Sequence, residues 1–255
     1  MDRRTFVGSL AAAGVATALL HRPAIAQPKP KSRNVVLVHG LFADGSCWTD
    51  VIARLQAAGL NATAVQNPLT TLEASVAATQ RVLAMQDGPT VLVGHSYAGM
   101  IVCEAGVDPK VAALVFVAAR APDAGEDYTA LAKRFPTAPA SAGIAWSGEW
   151  AQLTKEAFLR DFANGLPTKE AHELYAVQEP FERSLLAGKT SQAAWRSKPN
   201  WYSVSIDDRT IDPDLERFMA KRMNATTIEV KSGHLAMISH PDAIAKLIMD
   251  AAGQA

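Results

Sequence analysis

Cysteine is scarce in this chain: among 255 residues there are 2, Cys47 and Cys103. A single pair cannot frame a disulfide-built fold, and the cysteines and histidines show no metal-ligand spacing, so neither a disulfide scaffold nor a structural zinc site organises the protein. Both cysteines are read as free thiols, with Cys103 a small apolar residue on a helix, although an oxidising compartment would permit a Cys47–Cys103 disulfide. An excess of charge of one sign is also missing. Lysine plus arginine number 25 and aspartate plus glutamate 25. No basic stripe or polybasic run stands out, which excludes nucleic acid as an expected partner. Internal repeats and low-complexity tracts are absent, and nothing calls for a cofactor or a metal. What is present is 49% hydrophobic and 20% charged residues, enough for one large core.

The N-terminus reads as a separate segment. Arg3 and Arg4 precede a weakly apolar stretch, Gly8 to Leu20, and Ala24-Ile25-Ala26 offers a small-x-small cleavage site. The pattern is that of a twin-arginine export signal over residues 1–26, with 27–33 as linker. The apolar stretch is short of the roughly 20 residues that cross a bilayer, so cleavage is expected rather than stable membrane association. Without residues 1–26 the chain has 22 basic and 24 acidic residues, a net of −2. The expected location is the periplasm or exterior of a bacterium.

From residue 34 onward apolar runs alternate with amphipathic ones. NVVLV (34–38), 62–66, 90–93, VAALVFV (111–117), 201–206 and 226–230 read as strands. Residues 48–58, 72–85, 97–105, 213–223 and 241–251 read as helices, the second capped by Thr70 or Thr71. Continuous apolar strands alternating with helices predict an α/β fold with about six mostly parallel strands, covered on both faces. Residues 121–199 interrupt the rhythm. They contain no convincing strand, and they carry Trp146, Trp150, Phe158, Phe162, Tyr175 and Phe181 among helix formers. They are expected to form a helical cap inserted in a domain spanning 34–255.

The most informative segment is VLVGHSYAGM (91–100). An apolar strand runs into Ser96, and small residues and a helix follow. A serine at a sharp strand-to-helix turn is how a nucleophilic hydroxyl is presented at a sheet edge, in the pattern G-x-S-x-G. Here Ala98 holds the fifth position and Gly99 comes one place later. About 0.2 chance matches to G-x-S-x-small are expected in such a chain, and a serine capping a helix reads almost as well. The other strand ends decide. His39-Gly40 follows the first strand; Asp207, Asp208 and Asp212 follow the fifth; Ser232-Gly233-His234 follow the sixth. Ligands of open parallel sheets bind at these carboxyl ends. A serine hydroxyl needs a base, a histidine can serve, and a buried carboxylate can fix that histidine. Of the other histidines, His21 lies in the signal, His95 should point away from Ser96, His39 supports the loop after strand one, His172 is in the cap and His240 sits beside Pro241. Asp212 before Pro213 reads as a helix N-cap. The candidates are therefore Ser96 as nucleophile, His234 as base and Asp208 as acid. The backbone N–H groups of Leu41 and Tyr97 are candidates to receive a carbonyl oxyanion.

VLVHG (36–40), VGHSYAG (93–99), DDRTIDP (207–213) and SGHLAMISHP (232–241), in this order, resemble the alpha/beta-hydrolase superfamily over about residues 34–252. The closer resemblance is to the compact branch of plant methyl esterases and hydroxynitrile lyases. It implies an esterase with the triad Ser96, Asp208 and His234, oxyanion donors Leu41 and Tyr97, no cofactor, and a small-molecule ester as partner. Leu235 and Gly40 stand where the lyases carry lysine and threonine, which argues for ester hydrolysis. The aromatic cap suggests a pocket for small or aromatic apolar esters; the same rings could instead glue the cap to the core. Hydrolysis of a lactone, thioester or C–C bond, peracid formation, and a ligand-binding role without catalysis are the alternatives.

Overall fold

The computed structural model describes residues 32–253; the export-signal reading of residues 1–26 lies outside them. Nine strands are present among the described residues: β1 Asn34–Val38, β2 Asn61–Val65, β3 Thr90–His95, β4 Val111–Val117, β5 Ile144–Ser147, β6 Trp150–Leu153, β7 Phe181–Glu182, β8 Asn200–Ser205 and β9 Thr226–Val230. The helices are α1 Thr49–Ala57, α2 Leu72–Ala84, α3 Ala98–Ala105, α4 Tyr128–Ala132, α5 Lys155–Ala157, α6 Thr168–Ala176, α7 Pro213–Arg222, α8 Ala236–Ser239 and α9 Pro241–Ala251.

The main sheet has 6 strands in the order β2-β1-β3-β4-β8-β9, all parallel. Every residue of β1 and β3 is buried, so both faces are covered, as continuous Val/Leu runs require. Helix starts follow local capping chemistry. The Thr71 side chain accepts from Ala74 N–H at the start of α2, and Asp212 caps α7 ahead of Pro213. Against the sheet, α1 packs on α9 and α2 on α3. The chain leaves β1 for β2 on one side and returns to β3 on the other. This reversal puts the carboxyl ends of β1 and β3 next to each other and opens a crevice there.

The inserted region departs from the strand-free expectation. β5, β6 and β7 form a 3-stranded antiparallel sheet, with Ser147 paired to Trp150 across the turn Gly148-Glu149 and Ala151 paired to Phe181. Each strand is 4 residues or fewer, too short for its alternation to rise above the surrounding helix formers. The readable signal was Ser-Gly-Glu between two Trp-bearing runs, a hairpin turn with glycine at its first central position. Both cysteines are buried and free.

Candidate active site

Four strand ends of the main sheet converge. After β3 the backbone turns at Ser96 with φ 55°, a left-handed conformation that a serine adopts only under constraint. Three hydrogen bonds supply it. Ser96 N–H donates to the Val117 carbonyl at 3.2 Å, and the Ser96 carbonyl accepts from Gly99 N–H at 3.1 Å and Arg120 N–H at 2.9 Å. The loop after β4 therefore braces the turn. A side chain at Gly99 would run into the Arg120 backbone, so glycine is required there, one place later than the usual pattern. Ala98 is fully buried and accommodated.

Ser96 is 6% exposed, Asp208 6% and His234 fully buried. Asp208 Oδ2 lies 2.5 Å from His234 Nδ1. A carboxylate can only accept, so Nδ1 carries the proton and Nε2 presents its lone pair. Nε2 has no hydrogen-bond partner among the described residues. Asp208 Oδ1 accepts from Thr210 N–H at 2.6 Å and Ile211 N–H at 3.0 Å, which fixes the carboxylate plane. Asp207 is exposed, and Asp212 spends its carboxylate on Asp214 and Leu215 N–H groups. Neither reaches His234.

The other histidines have supporting places. His95 Nε2 is 3.1 Å from the His234 carbonyl. Burial and the neighbouring His234 ring hold its pKa well below the ordinary value, so it stays neutral and holds the His234 backbone. His39 Nε2 accepts from Asn67 N–H at 2.9 Å, which leaves Nδ1–H to donate to the Gly40 carbonyl at 2.9 Å. The loop carrying Leu41 is thereby tied down. A Cβ on Gly40 would sit 2.7 Å from Ser96 Cβ and 2.8 Å from the His95 carbonyl oxygen. The chain at Gly40-Leu41 thus passes directly against Ser96, and only glycine permits it. Neither Leu41 N–H nor Tyr97 N–H donates to another group among the described residues. Two free amides flanking a buried hydroxyl are suited to receive charge developing on a carbonyl oxygen.

The cap reaches the site from above. Phe162 lies 5.4 Å from the His234 ring and 5.5 Å from Phe42, and Phe181 lies 5.3 Å from Phe42. Buried Asp161 pairs with Arg209, next to the acid, at 2.7 Å. Asn164 donates to the Asp207 carbonyl at 2.8 Å. A cavity of about 340 Å³ opens in front of Ser96, walled by Leu41, Phe42, Tyr128, Ile144, Leu186 and Leu215. None of the six cap aromatics singled out in the sequence lines it. Phe158, Phe162 and Phe181 pack the cap onto the core, Trp146 and Trp150 are exposed, and the pocket's rings come from Phe42 and from Tyr128, another residue of the inserted region. The physical reason is burial: Phe158, Phe162 and Phe181 are at most 1% exposed and stack on one another and on the β1 loop.

Glu216 went unnoticed in the sequence, because a glutamate one turn into a helix gives no signal. It is fully buried on α7. One oxygen accepts from Ser205 N–H at 3.0 Å, and its carboxyl also meets that of Asp208. Burial and the Asp208 charge push its pKa well above the ordinary 4.5, since two carboxylates in contact cannot both ionise. The folded protein therefore holds a proton that the unfolded chain releases above pH 4.5. Stability from this proton is complete below that value and is lost as pH rises toward the folded pKa. Glutamine binds no proton. Glu216→Gln should be more stable than the parent at pH 8, by about 1–3 kcal/mol at ~1.4 kcal/mol per pH unit. Urea unfolding at pH 5 and pH 8 checks this: the gap should close at pH 5. A variant less stable than the parent by the same amount at both pH values would contradict it.

A parallel sheet with a serine on a strained strand-to-helix turn, and with an acid–histidine pair at neighbouring strand ends, defines the alpha/beta-hydrolase class. A profile of the alpha/beta hydrolase family matches residues 35–247, and the chain belongs to that family. It is similar to Esterase PIR7B of Oryza sativa subsp. japonica, with 26% identity covering 87% of this chain and 96% of that protein. Methylesterase 7 of Arabidopsis thaliana is 26% identical, covering 88% and 98%. The Carbendazim hydrolyzing esterase of Nocardioides sp. is 25% identical, covering 84% and 97%. The crystal structure of polyneuridine aldehyde esterase superposes with a TM-score of 0.73 at 21% identity, covering 86% of this chain and 98% of that one. This protein is a hydrolase, and its esterase-named relatives support ester hydrolysis at a general level.

Proposed function

We propose that this chain is a serine hydrolase that cleaves a carboxylic ester through an acyl-Ser96 intermediate. The observation that carries the reading is the buried His234, with Nδ1 held by Asp208 at 2.5 Å, Nε2 left without a partner among the described residues, and its ring 4.6 Å from that of His95, the residue before Ser96 at φ 55°. Rotation of the Ser96 hydroxyl brings it to Nε2 once substrate fills the cavity. Nε2 takes the hydroxyl proton as Oγ bonds to the ester carbon, and the carbonyl electron pair moves onto oxygen. The Leu41 and Tyr97 N–H groups receive that oxyanion. The oxyanion collapses, the bond to the alcohol oxygen breaks, and Nε2–H protonates the departing alcohol. Water then repeats the sequence at the acyl carbon, releasing the acid and restoring Ser96. Asp208 orients the ring through Nδ1 and stabilises the imidazolium.

A cavity of about 340 Å³ suits a small ester. The esterase names of the similar proteins agree with this chemistry. The test combines turnover with labelling. The protein should hydrolyse short p-nitrophenyl esters, and a fluorophosphonate should abolish turnover while adding its mass to the peptide containing Ser96. Full activity after stoichiometric exposure, or a label on another residue, would overturn the reading.

A further inference from the structure

The cavity in front of Ser96 holds a cation that lacks an anion. Arg120 follows β4, lines that cavity, and is partly buried. Among the described residues it makes no ion pair. The other arginines without one, Arg33, Arg81 and Arg134, are exposed. The Arg120 guanidinium is 4.6 Å from the centre of the Tyr128 ring and 5.4 Å from that of Tyr97. Its one side-chain hydrogen bond goes to the Met100 sulfur at 3.8 Å, a weak acceptor.

We propose that the ester substrates of this protein carry a carboxylate on their acyl or alcohol part, and that Arg120 receives it. The proposal rests on the ester reading of Ser96. The two tyrosine rings attract the cation and hold its plane, so little side-chain freedom remains to be lost on binding. What is left unused is the guanidinium edge, whose forked N–H donors match a carboxylate in bidentate fashion. A partly buried, unpaired charge is costly, and a substrate carboxylate would relieve that cost while the apolar walls cover the linking methylenes. The other charges on the cavity are exposed Lys133 and the Asp212 carboxylate, which is occupied in capping α7. Neither neutralises the guanidinium. The same Arg120 bonds to the Ser96 carbonyl through its own N–H, so the anion site and the reacting hydroxyl belong to one rigid corner. In the purely structural alternative, Arg120 only fastens Tyr97 to Tyr128.

Two ester pairs separate these readings, each differing in a terminal methyl or carboxylate: methyl hexanoate with monomethyl adipate, and butyl acetate with 4-acetoxybutyrate. In at least one pair the parent should show higher kcat/KM for the anionic member. Arg120→Met should lower the anionic-to-neutral ratio by about 10- to 100-fold, the range of a charge-assisted bidentate contact. Arg120→Lys should fall between them, because the charge remains and the fork is lost. A parent that prefers the neutral member of both pairs, or an unchanged ratio in Arg120→Met, overturns the proposal. Calorimetry on the Ser96→Ala protein tests it without turnover. Monomethyl adipate or 4-acetoxybutyrate should bind at least ~10-fold more tightly than its neutral partner, and adding Arg120→Met should remove that gain. A chain that hydrolyses none of the four esters refutes the ester reading alone, and the calorimetric result still decides Arg120.

Discussion

Ser96→Ala is expected to lower kcat for ester hydrolysis by about 10⁴- to 10⁶-fold, with KM little changed. The hydroxyl is the atom that bonds to the acyl carbon in the proposed mechanism, and the remaining groups cannot replace it. Its removal leaves the brace of the turn intact, because the Ser96 backbone makes the bonds to Val117, Gly99 and Arg120. The circular dichroism spectrum and the unfolding midpoint should stay near the parent's. The residual rate would come from the Leu41 and Tyr97 amides and from binding. Stopped assays on a p-nitrophenyl ester, with the variant purified free of parent, measure the loss. A variant within 10-fold of the parent would sink the acyl-serine proposal.

Asp208→Asn is expected to cost about 10⁴-fold in kcat, although the side chain keeps its shape. Oδ1 accepts two backbone N–H groups, from Thr210 and Ile211, so the asparagine carbonyl must take that position. Its NH₂ group then faces His234 Nδ1 where Oδ2 lay at 2.5 Å. A donor there forces Nδ1 to accept, which moves the ring proton to Nε2 and removes the base from the side facing Ser96. Nitrogen-15 NMR of labelled histidine should find Nδ1–H in the parent and Nε2–H in the variant. Near-parent activity, or an unchanged tautomer, would contradict the role given to Asp208. The variant also removes the Asp208 charge that helps to keep Glu216 protonated and leaves burial as the main cause of its raised pKa.

Much of this was legible before any coordinates. The runs at 34–38 and 111–117 are continuous and apolar, and those two strands, together with the one at 226–230, have the bounds the sequence suggests. Thr71 and Asp212 cap the helices their positions suggest, because capping is chemistry between neighbours in the chain. Ser96, Asp208 and His234 could be named because each follows a recognisable strand. Of the β5–β6 hairpin only the glycine turn was legible, not the strands. Its four-residue strands owe their form to packing against Phe181 as much as to their own pattern. Glu216 and Arg120 were silent for a different reason. Their significance lies in what they touch, a carboxylate 8 positions away in the chain and tyrosines on α4 and at the head of α3.

The sequence by itself determined the alternation of strands and helices, the parallel sheet, the order serine–acid–histidine and the glycine-lined turn, since each follows from periodicity and local sterics. Only the tertiary structure decided how Asp208 Oδ2 meets His234 Nδ1 while Asp207 faces solvent, that Tyr128 lines the pocket while Phe158, Phe162 and Phe181 fasten the cap, and that Arg120 stands in the cavity with no ion pair among the described residues. Those outcomes depend on where loops from distant strands come to rest. That is fixed by packing of the sheet and cap as a whole and by which charges the fold happens to leave unpaired.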